Sequence, residues 1–420
     1  HAFLNQFRPD DWQLREGKAI QKGVVLKPFR GWPAVERAAS QGSGLGRFFA
    51  QALQGLSVRY NRSDSFLPAA PAQNVFLEFL PDPSGEGKDY GFGLTLFDGK
   101  LSLRVNKYET MTLNSRTGPS AGVAAAALAL DFFGNAGGVF YGLQVQATDW
   151  LTAANPGITP AQLEAQLTTL IGIAPIDLDE FRTIARSETD DILSRGHEIE
   201  LHYNPVNYWT LAANLTEQQT INVRNGPNVT AYIAQRLPFW TSVVDPRSGQ
   251  LWFDRMYTVN ENQRAQYTRA VAGALQTAQA LQGLARPQIR RYRGNVTTNF
   301  RLSGITDHRI LRAFNIGGSL RYESKGSIGF NGVPPGPDGI YRAYDVQRPI
   351  WDKGHVYIDG LVGYRTRLWG NRVGATFQLN VRNLQENGRL QPINALPNGA
   401  PYQYRIISPR QFILSATFDL

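Results

Sequence analysis

Gly118-Pro119-Ser120-Ala121-Gly122 matches the GxSxG pattern, in which a serine on a sharp strand-to-helix turn is presented as a nucleophile. Such an elbow needs a buried apolar strand directly before it. Met111 to Thr117 instead reads MTLNSRT, and the chain shows hairpin patterns rather than βαβ units. Ser120 is therefore expected in a loop, no catalytic residue is assigned, and the chain is not read as an enzyme. His1, His197, His202, His308 and His355 are too dispersed for an HExxH site or a zinc finger, so neither a metal site nor a cofactor is expected. Gly42-Ser43-Gly44-Leu45-Gly46 is not a GxGxxG phosphate loop and reads as flexible loop. The side chains suited to holding a ligand are of another kind. Trp150, Trp240, Trp252, Phe253, Arg255 and Tyr257 stand in long segments between strands, where an aromatic face stacks on rings or sugars and arginine grips carboxylate or phosphate. They are candidate substrate contacts, with packing inside a folded loop as the alternative for each. Arg301, Arg321, Arg365 and Arg382 join them from the inward faces of strands, where Glu198, Glu200, Asp359 and Asp419 are available as partners.

The elements that must position these residues are strands. Apolar residues at period two mark about ten of them, each bounded by Gly, Asn, Asp or Pro. They begin with GLSVRYN (Gly55 to Asn61) and DYGFGLTLF (Asp89 to Phe97) and end with RVGATFQLNVR (Arg372 to Arg382) and QFILSATFDL (Gln411 to Leu420). In Arg291 to Leu302 the even positions are Tyr292, Gly294, Val296, Thr298, Phe300 and Leu302, and the odd ones are Arg or polar. The connections alternate. Asp98 to Lys100, Asn204 to Tyr208, Ser303 to Leu311 and Thr366 to Asn371 are short; 62–88, 111–196, 219–290, 323–354 and 383–410 are long. A transmembrane barrel sorts its loops in this way, with tight turns on one side and large loops on the other. Aromatics sit at strand ends, Trp209 and Trp369 by short turns, Tyr60, Tyr90, Tyr292 and Tyr322 by long loops, as interfacial girdles would. Within the loops, Thr159-Pro160-Ala161-Gln162 is a capping box, Asp177-x-x-Glu180 repeats the signal ahead of FRTIARSETDDILSRG, and a third helix is expected between Gln266 and Leu284. The reading is an all-β antiparallel transmembrane β-barrel, about ten strands of a larger wall, with long, partly helical extracellular loops. Residues 1–54 are a loop region leading into the barrel and 55–420 its C-terminal part. The final strand is expected to pair with the first, because lipid cannot satisfy a free edge.

Composition agrees. Of 420 residues 42% are hydrophobic and 18% charged, with 41 Gly, 24 Pro and 17 Tyr, a turn-rich and strand-rich balance. There is no cysteine, hence no disulfide or thiolate site. The longest apolar stretch, Val123 to Phe133, is broken by Asp131 and too short for a spanning helix of about 20 residues. The net charge of +9 is scattered, with no run of five or six Lys and Arg, which argues against nucleic acid. The chain opens at His1 without a secretory-signal pattern, and a processed or partial product is expected.

FQLNVRNLQENG (Phe377 to Gly388) and YRIISPRQFILSATFDL (Tyr404 to Leu420) resemble the last two strands of TonB-dependent outer-membrane transporters. Asn61 to Ala69, Leu80 to Thr110 and Gly196 to Leu215 resemble barrel segments of large members. The resemblance implies a 22-stranded barrel in the bacterial outer membrane, occluded by an N-terminal plug and coupled to TonB, importing a scarce nutrient such as a siderophore, vitamin or glycan. Implied partners are the TonB complex through a plug, outer-membrane lipid and lipopolysaccharide, and the barrel assembly machinery. No plug or TonB box is recognised here, so a truncated sequence, or other chains completing the assembly, is expected. A passive porin and a secreted soluble all-β binding module are the alternatives.

Overall fold

The computed structural model describes residues 14–132, 142–181, 184–257, 261–337, 343–370 and 372–419, with residues 339 and 341 and the backbone of 135–136 and 139–140. His1 and Leu420 lie outside the described residues. The dominant element is one eleven-stranded antiparallel sheet whose strands follow chain order without a crossover. They are β1 Gln21–Leu26, β2 Leu56–Phe66, β3 Ser84–Leu96, β4 Leu101–Ser115, β5 Asp190–Val206 and β6 Trp209–Asn225. The meander continues through β7 Tyr292–Arg301, β8 Phe314–Glu323, β9 His355–Leu368, β10 Val373–Arg382 and β11 Gln411–Asp419. The period-two count finds all of these except β1, whose six residues QKGVVL offer too little alternation to register.

The sheet has two chemically opposite faces, and the register shows it. One cross-strand row runs Leu26, Val58, Phe92, Val105, Ile199, Leu215, Gly294, Tyr322 and Val356 from β1 to β9. The next row, on the other face, runs Val25, Arg59, Gly91, Asn106, Glu198, Thr216, Arg293, Glu323 and His355. The apolar side continues through Val362, Leu379 and Leu414 into β11. Because side chains alternate with period two, a one-residue slip of any strand would put a polar row into this belt, which is why the register is so uniform.

The short connections lie at one end, that of Asp419. The β3–β4 turn carries Phe97, Asp98 and Gly99 at positive φ, 53°, 55° and 86°, and β5 and β6 are joined by Asn207 and Tyr208 alone. One connection breaks the expected alternation. Residues 27–55, between β1 and β2, belong to this same end yet hold two helices, α1 Pro33–Gln41 and α2 Gly44–Gly55. The glycine-rich stretch expected as flexible loop is thus structured: Gly42 caps α1, Ser43 precedes α2, and Gly44 to Gly46 form its first turn.

At the opposite end, segments 116–189 and 226–291 fold into a helical cap with its own core. Its helices are α3 Ala121–Asp131, α4 Leu143–Ala154, α5 Pro160–Ile171 and α6 Pro227–Trp240, joined by the helical runs Gln263–Gln266, Tyr267–Ala272 and Gly273–Ala280. The Thr159 capping box forms, with the Gln162 side chain returning to the Thr159 N–H at 3.0 Å. The second capping signal does not extend a helix. Leu178–Phe181 is a single turn, and Asp190 onwards is β5, because that segment finds ladder partners in both β4 and β6. Segments 324–354 and 383–410 fold as hairpins, Gly326–Gly332 with Tyr344–Asp352 and Arg389–Ala395 with Pro401–Ile407.

Closure by the last strand onto the first is not formed. Among the described residues β11 pairs only with β10, β1 only with β2, and the two stand at opposite edges of an open sheet. The backbone groups expected to meet each other there face away from the sheet.

Candidate functional site

The apolar face is an exposed surface. Val58, Tyr60, Tyr90, Phe92, Leu215, Val296, Ile316, Leu320, Tyr322, Val356, Val362, Leu414 and Phe418 all stand exposed on it, most at about 40% of their area. Side chains of this size present on the order of 1,000 Å² of apolar surface together, well beyond what a soluble monomer usually shows. At the cap end Tyr60 and Tyr90 face each other across β2 and β3, with Tyr322 further along the belt. At the turn end Trp209 donates its indole N–H to Thr298 at 3.0 Å and packs against Tyr203 and Phe300. The aromatics thus border the aliphatic band at both ends, matching the strand-end girdles read from the sequence. No helix among the described residues is long and apolar enough to cross a membrane, a statement that does not bear on crossing by strands.

The polar face carries the arginines chosen from the sequence. Arg321 pairs with Asp359 at 3.3 Å, and these two line a cavity of about 410 Å³ with Arg382, Asn383, Ser408 and Gln411. The expected role of Glu200 is different, since its partner is Arg104 at 3.2 Å. Glu198 and Asp419 form no ion pair among the described residues. Arg301 and Arg365 come together at the turn end in a second cavity of about 770 Å³, with Arg309 and Arg312 from the connection between β7 and β8.

Above the belt, Asp352 is almost fully buried where the two hairpins meet the start of β9. It accepts from Arg290, from Gln391 at 2.7 Å and from His355 Nε2 at 2.9 Å. Arg389 donates to Nδ1 of the same imidazole at 2.8 Å. Since guanidinium offers only donors, Nδ1 must accept and the ring proton sits on Nε2, aimed at the carboxylate. Burial works to raise the Asp352 carboxyl, but the bonds from His355, Gln391 and Arg290 outweigh it and hold the group below the usual aspartate range.

For the loop aromatics the arrangement observed is the alternative reading, packing within a folded loop. Trp150, Trp240 and Trp252 have no exposed surface and Phe253 has 1%, all four inside the cap core. They are buried because the cap is a folded unit with its own apolar interior; they present nothing to a ligand. Tyr257 packs against the same core, and Arg255 binds Asp245 at 2.8 Å and Gln146 at 3.1 Å. The cap is also organised around a group chosen from the sequence only as a break in an apolar run. Asp131, 1% exposed, accepts from Arg236 at 2.7 and 3.0 Å, Tyr232 Oη at 2.6 Å and Trp240 Nε1 at 2.8 Å. Burial and the adjacent Asp131 charge push the Tyr232 phenol far above its ordinary value, so it stays a donor.

Ser120, the centre of the GxSxG match, is fully buried at the start of α3. Its backbone N–H donates to Asp190 at 3.1 Å, and a Cβ on Gly226, which sits at φ 52°, would lie 2.9 Å from its hydroxyl. Among the described residues no histidine hydrogen-bonds to it. Asp190 also accepts from the Gly226 N–H at 3.1 Å, and the buried Glu188 from the Val229 N–H at 2.7 Å. Two acids therefore hold the N-termini of α3 and α6, where the orphan donors and the helix dipole favour negative charge.

No protein-family profile and no curated protein matches this sequence. Solved structures do resemble it. The ferripyoverdine receptor of the Pseudomonas aeruginosa outer membrane is 12% identical, with 86% of this chain and 30% of that one covered at a TM-score of 0.43. BauA, the ferric preacinetobactin receptor from Acinetobacter baumannii, is 12% identical over 87% of this chain and 34% of its own, TM-score 0.43. Fiu, a ferric-catecholate import receptor from E. coli K12, is 15% identical over 86% and 33%, TM-score 0.39. These neighbours are receptors. This chain spans about a third of the length of each.

Proposed function

We propose that this chain is part of the wall of a bacterial outer-membrane transporter, its apolar face in lipid and its polar face toward a water-filled or plugged interior. The observation that carries the reading is the exposed apolar belt that runs from β1 to β11, with a mostly polar face behind it. Among the described residues no helix is long and apolar enough to cross hydrocarbon, and a sheet can do so only as part of a barrel. The reading extends to TonB-energised uptake of a scarce nutrient, a siderophore, vitamin or glycan, with the cap over the mouth; a plug and further strands would come from outside the described sheet. Partners on this reading are the TonB complex, outer-membrane lipid and lipopolysaccharide, and the barrel assembly machinery.

The absence of cysteine makes the test direct. Single cysteines at Val296, Leu320 and Leu379, spin-labelled in vesicles, are expected to relax with oxygen and resist an aqueous nickel chelate; those at Thr297 and Gln378 should do the reverse. Equal access of the nickel chelate to both sets would remove the membrane wall. For transport, cells making the protein should lose uptake of a ferric siderophore when the proton-motive force is dissipated. Uptake that persists would mean a passive pore.

A further inference from the structure

We propose that the turn-end cavity of the polar face is a binding site for a small oxyanion carrying two or more negative charges, of the polycarboxylate or polyphosphate class. Four guanidinium groups line it, Arg301 and Arg365 from strands and Arg309 and Arg312 from the connection, and among the described residues no carboxylate does. Register places the strand pair: Arg301 is opposite Asn315, which is opposite Gly363, two residues before Arg365. Arg301 and Arg365 thus stand two strands apart and two residues along on one face, roughly 12 Å between their Cα atoms at the usual spacings. The second pair is held by the 302–313 connection, in which Arg309 lies between the short helical turns Leu302–Gly304 and Leu311–Ala313 and Arg312 is part of the second.

These charges are not spent elsewhere. Arg301 donates to the Asn207 carbonyl, which leaves its charge uncompensated, and Arg309, Arg312 and Arg365 form no ion pair among the described residues. Asp307, on the same connection, neither lines the cavity nor pairs with any of them. Like charges gathered in a concave site repel, and a multivalent anion relieves that repulsion while using the fork geometry of guanidinium. Tyr208 and Asn299 also line it and carry neutral donors. A volume of about 770 Å³ suits a small-molecule ligand rather than a single halide ion. The inference needs only this cavity and stands whether or not the protein is a transporter.

The test is calorimetric titration of the detergent-solubilised protein with pyrophosphate and with citrate, against sodium chloride at matched ionic strength. Saturable binding of at least one anion is expected, weakened tenfold or more in R312Q and in R365Q and only partly restored in R365K, which returns the charge without the fork. R59Q, also on the polar face but outside the cavity, should bind as the unaltered protein does. Arg312 lies outside the strands, so R312Q tests the site even if R365Q does not fold, with strand content checked by circular dichroism. No saturable heat with either anion, or equal weakening in R59Q and R312Q, would overturn the site and leave only diffuse charge.

Discussion

Ile358→Arg should be among the most damaging single substitutions in the sheet, and its counterpart Thr297→Arg should be nearly silent. On β9 the apolar positions run from Val356 to Tyr364, eight steps that span about 26 Å along the strand, or about 20 Å in height at the usual tilt of roughly 40°. Gly360 is the midpoint, and Ile358 lies two residues from it, about 5 Å in height. Arginine on the lipid side costs about 2–4 kcal/mol at the midplane and falls toward zero at the interface. At this depth about 2–3 kcal/mol is expected, a shift of about 30- to 150-fold in the folding equilibrium. Thr297 sits in the row Ala212, Thr297, Ser319 and Asp359, on the opposite face. An arginine there meets water and the Asp359 carboxylate, so a change within about 0.5 kcal/mol is expected. The assay is reversible guanidinium unfolding in lipid vesicles, followed by tryptophan fluorescence. If the two variants lose similar stability, both faces are covered by protein and the membrane-wall reasoning fails.

Asp131→Ala should destabilise the cap by about 3–5 kcal/mol, because it leaves the buried Arg236 guanidinium uncompensated; limited proteolysis should then cut within 116–189 and 226–291 while the sheet stays protected. Glu188→Ala is expected to cost about 1–3 kcal/mol through the unsatisfied Val229 N–H and the lost helix-terminal charge, read by hydrogen exchange in α6. Asp245 is almost fully buried; burial works to raise its carboxyl, but hydrogen bonds from Arg247 and the charges of Arg247 and Arg255 hold it below the ordinary aspartate value. A depressed folded-state value means stability that is complete above the unfolded value, about 4, and lost as pH falls through the folded one. Cap melting temperature should therefore be flat from pH 7 to about 5 and fall below about 4, with Asp245→Asn flattening that fall.

The sheet was readable because a membrane wall writes itself into sequence at the shortest period available. Each strand needs only alternate residues to say which side is hydrocarbon, so Val373 to Val381 carries the message without its neighbours. The cap obeys no such local rule. Asp131 interrupts an apolar helix, and what makes it a hub is Arg236, 105 residues away, with Tyr232 and Trp240 on the same later helix. Aromatic content marked Trp150, Trp240 and Trp252 as important but could not separate stacking on a ligand from packing on one another. Asp190 to Gly196, the charged end of a stretch expected to be helical, is instead the start of β5 because β4 and β6 both offer it ladder partners.

Strand length links the readable part to the rest. β5 and β6 are 17 residues each, whereas crossing hydrocarbon takes about 9–11, so each runs several residues past the belt. The surplus is where the cap attaches. Asp190, the first residue of β5, accepts from the N–H groups of Ser120 and Gly226, and Asn225, the last of β6, donates to the Ala278 carbonyl. Arg224 and Asp191, adjacent to them, pair at 2.7 Å across the two strands. The cap helices are therefore aimed by strands whose lower halves are fixed in register by the apolar belt. A register error in β5 or β6 would move the anchors of α3 and α6 as well as the belt, which gives the long strands a role that a minimal membrane span would not have.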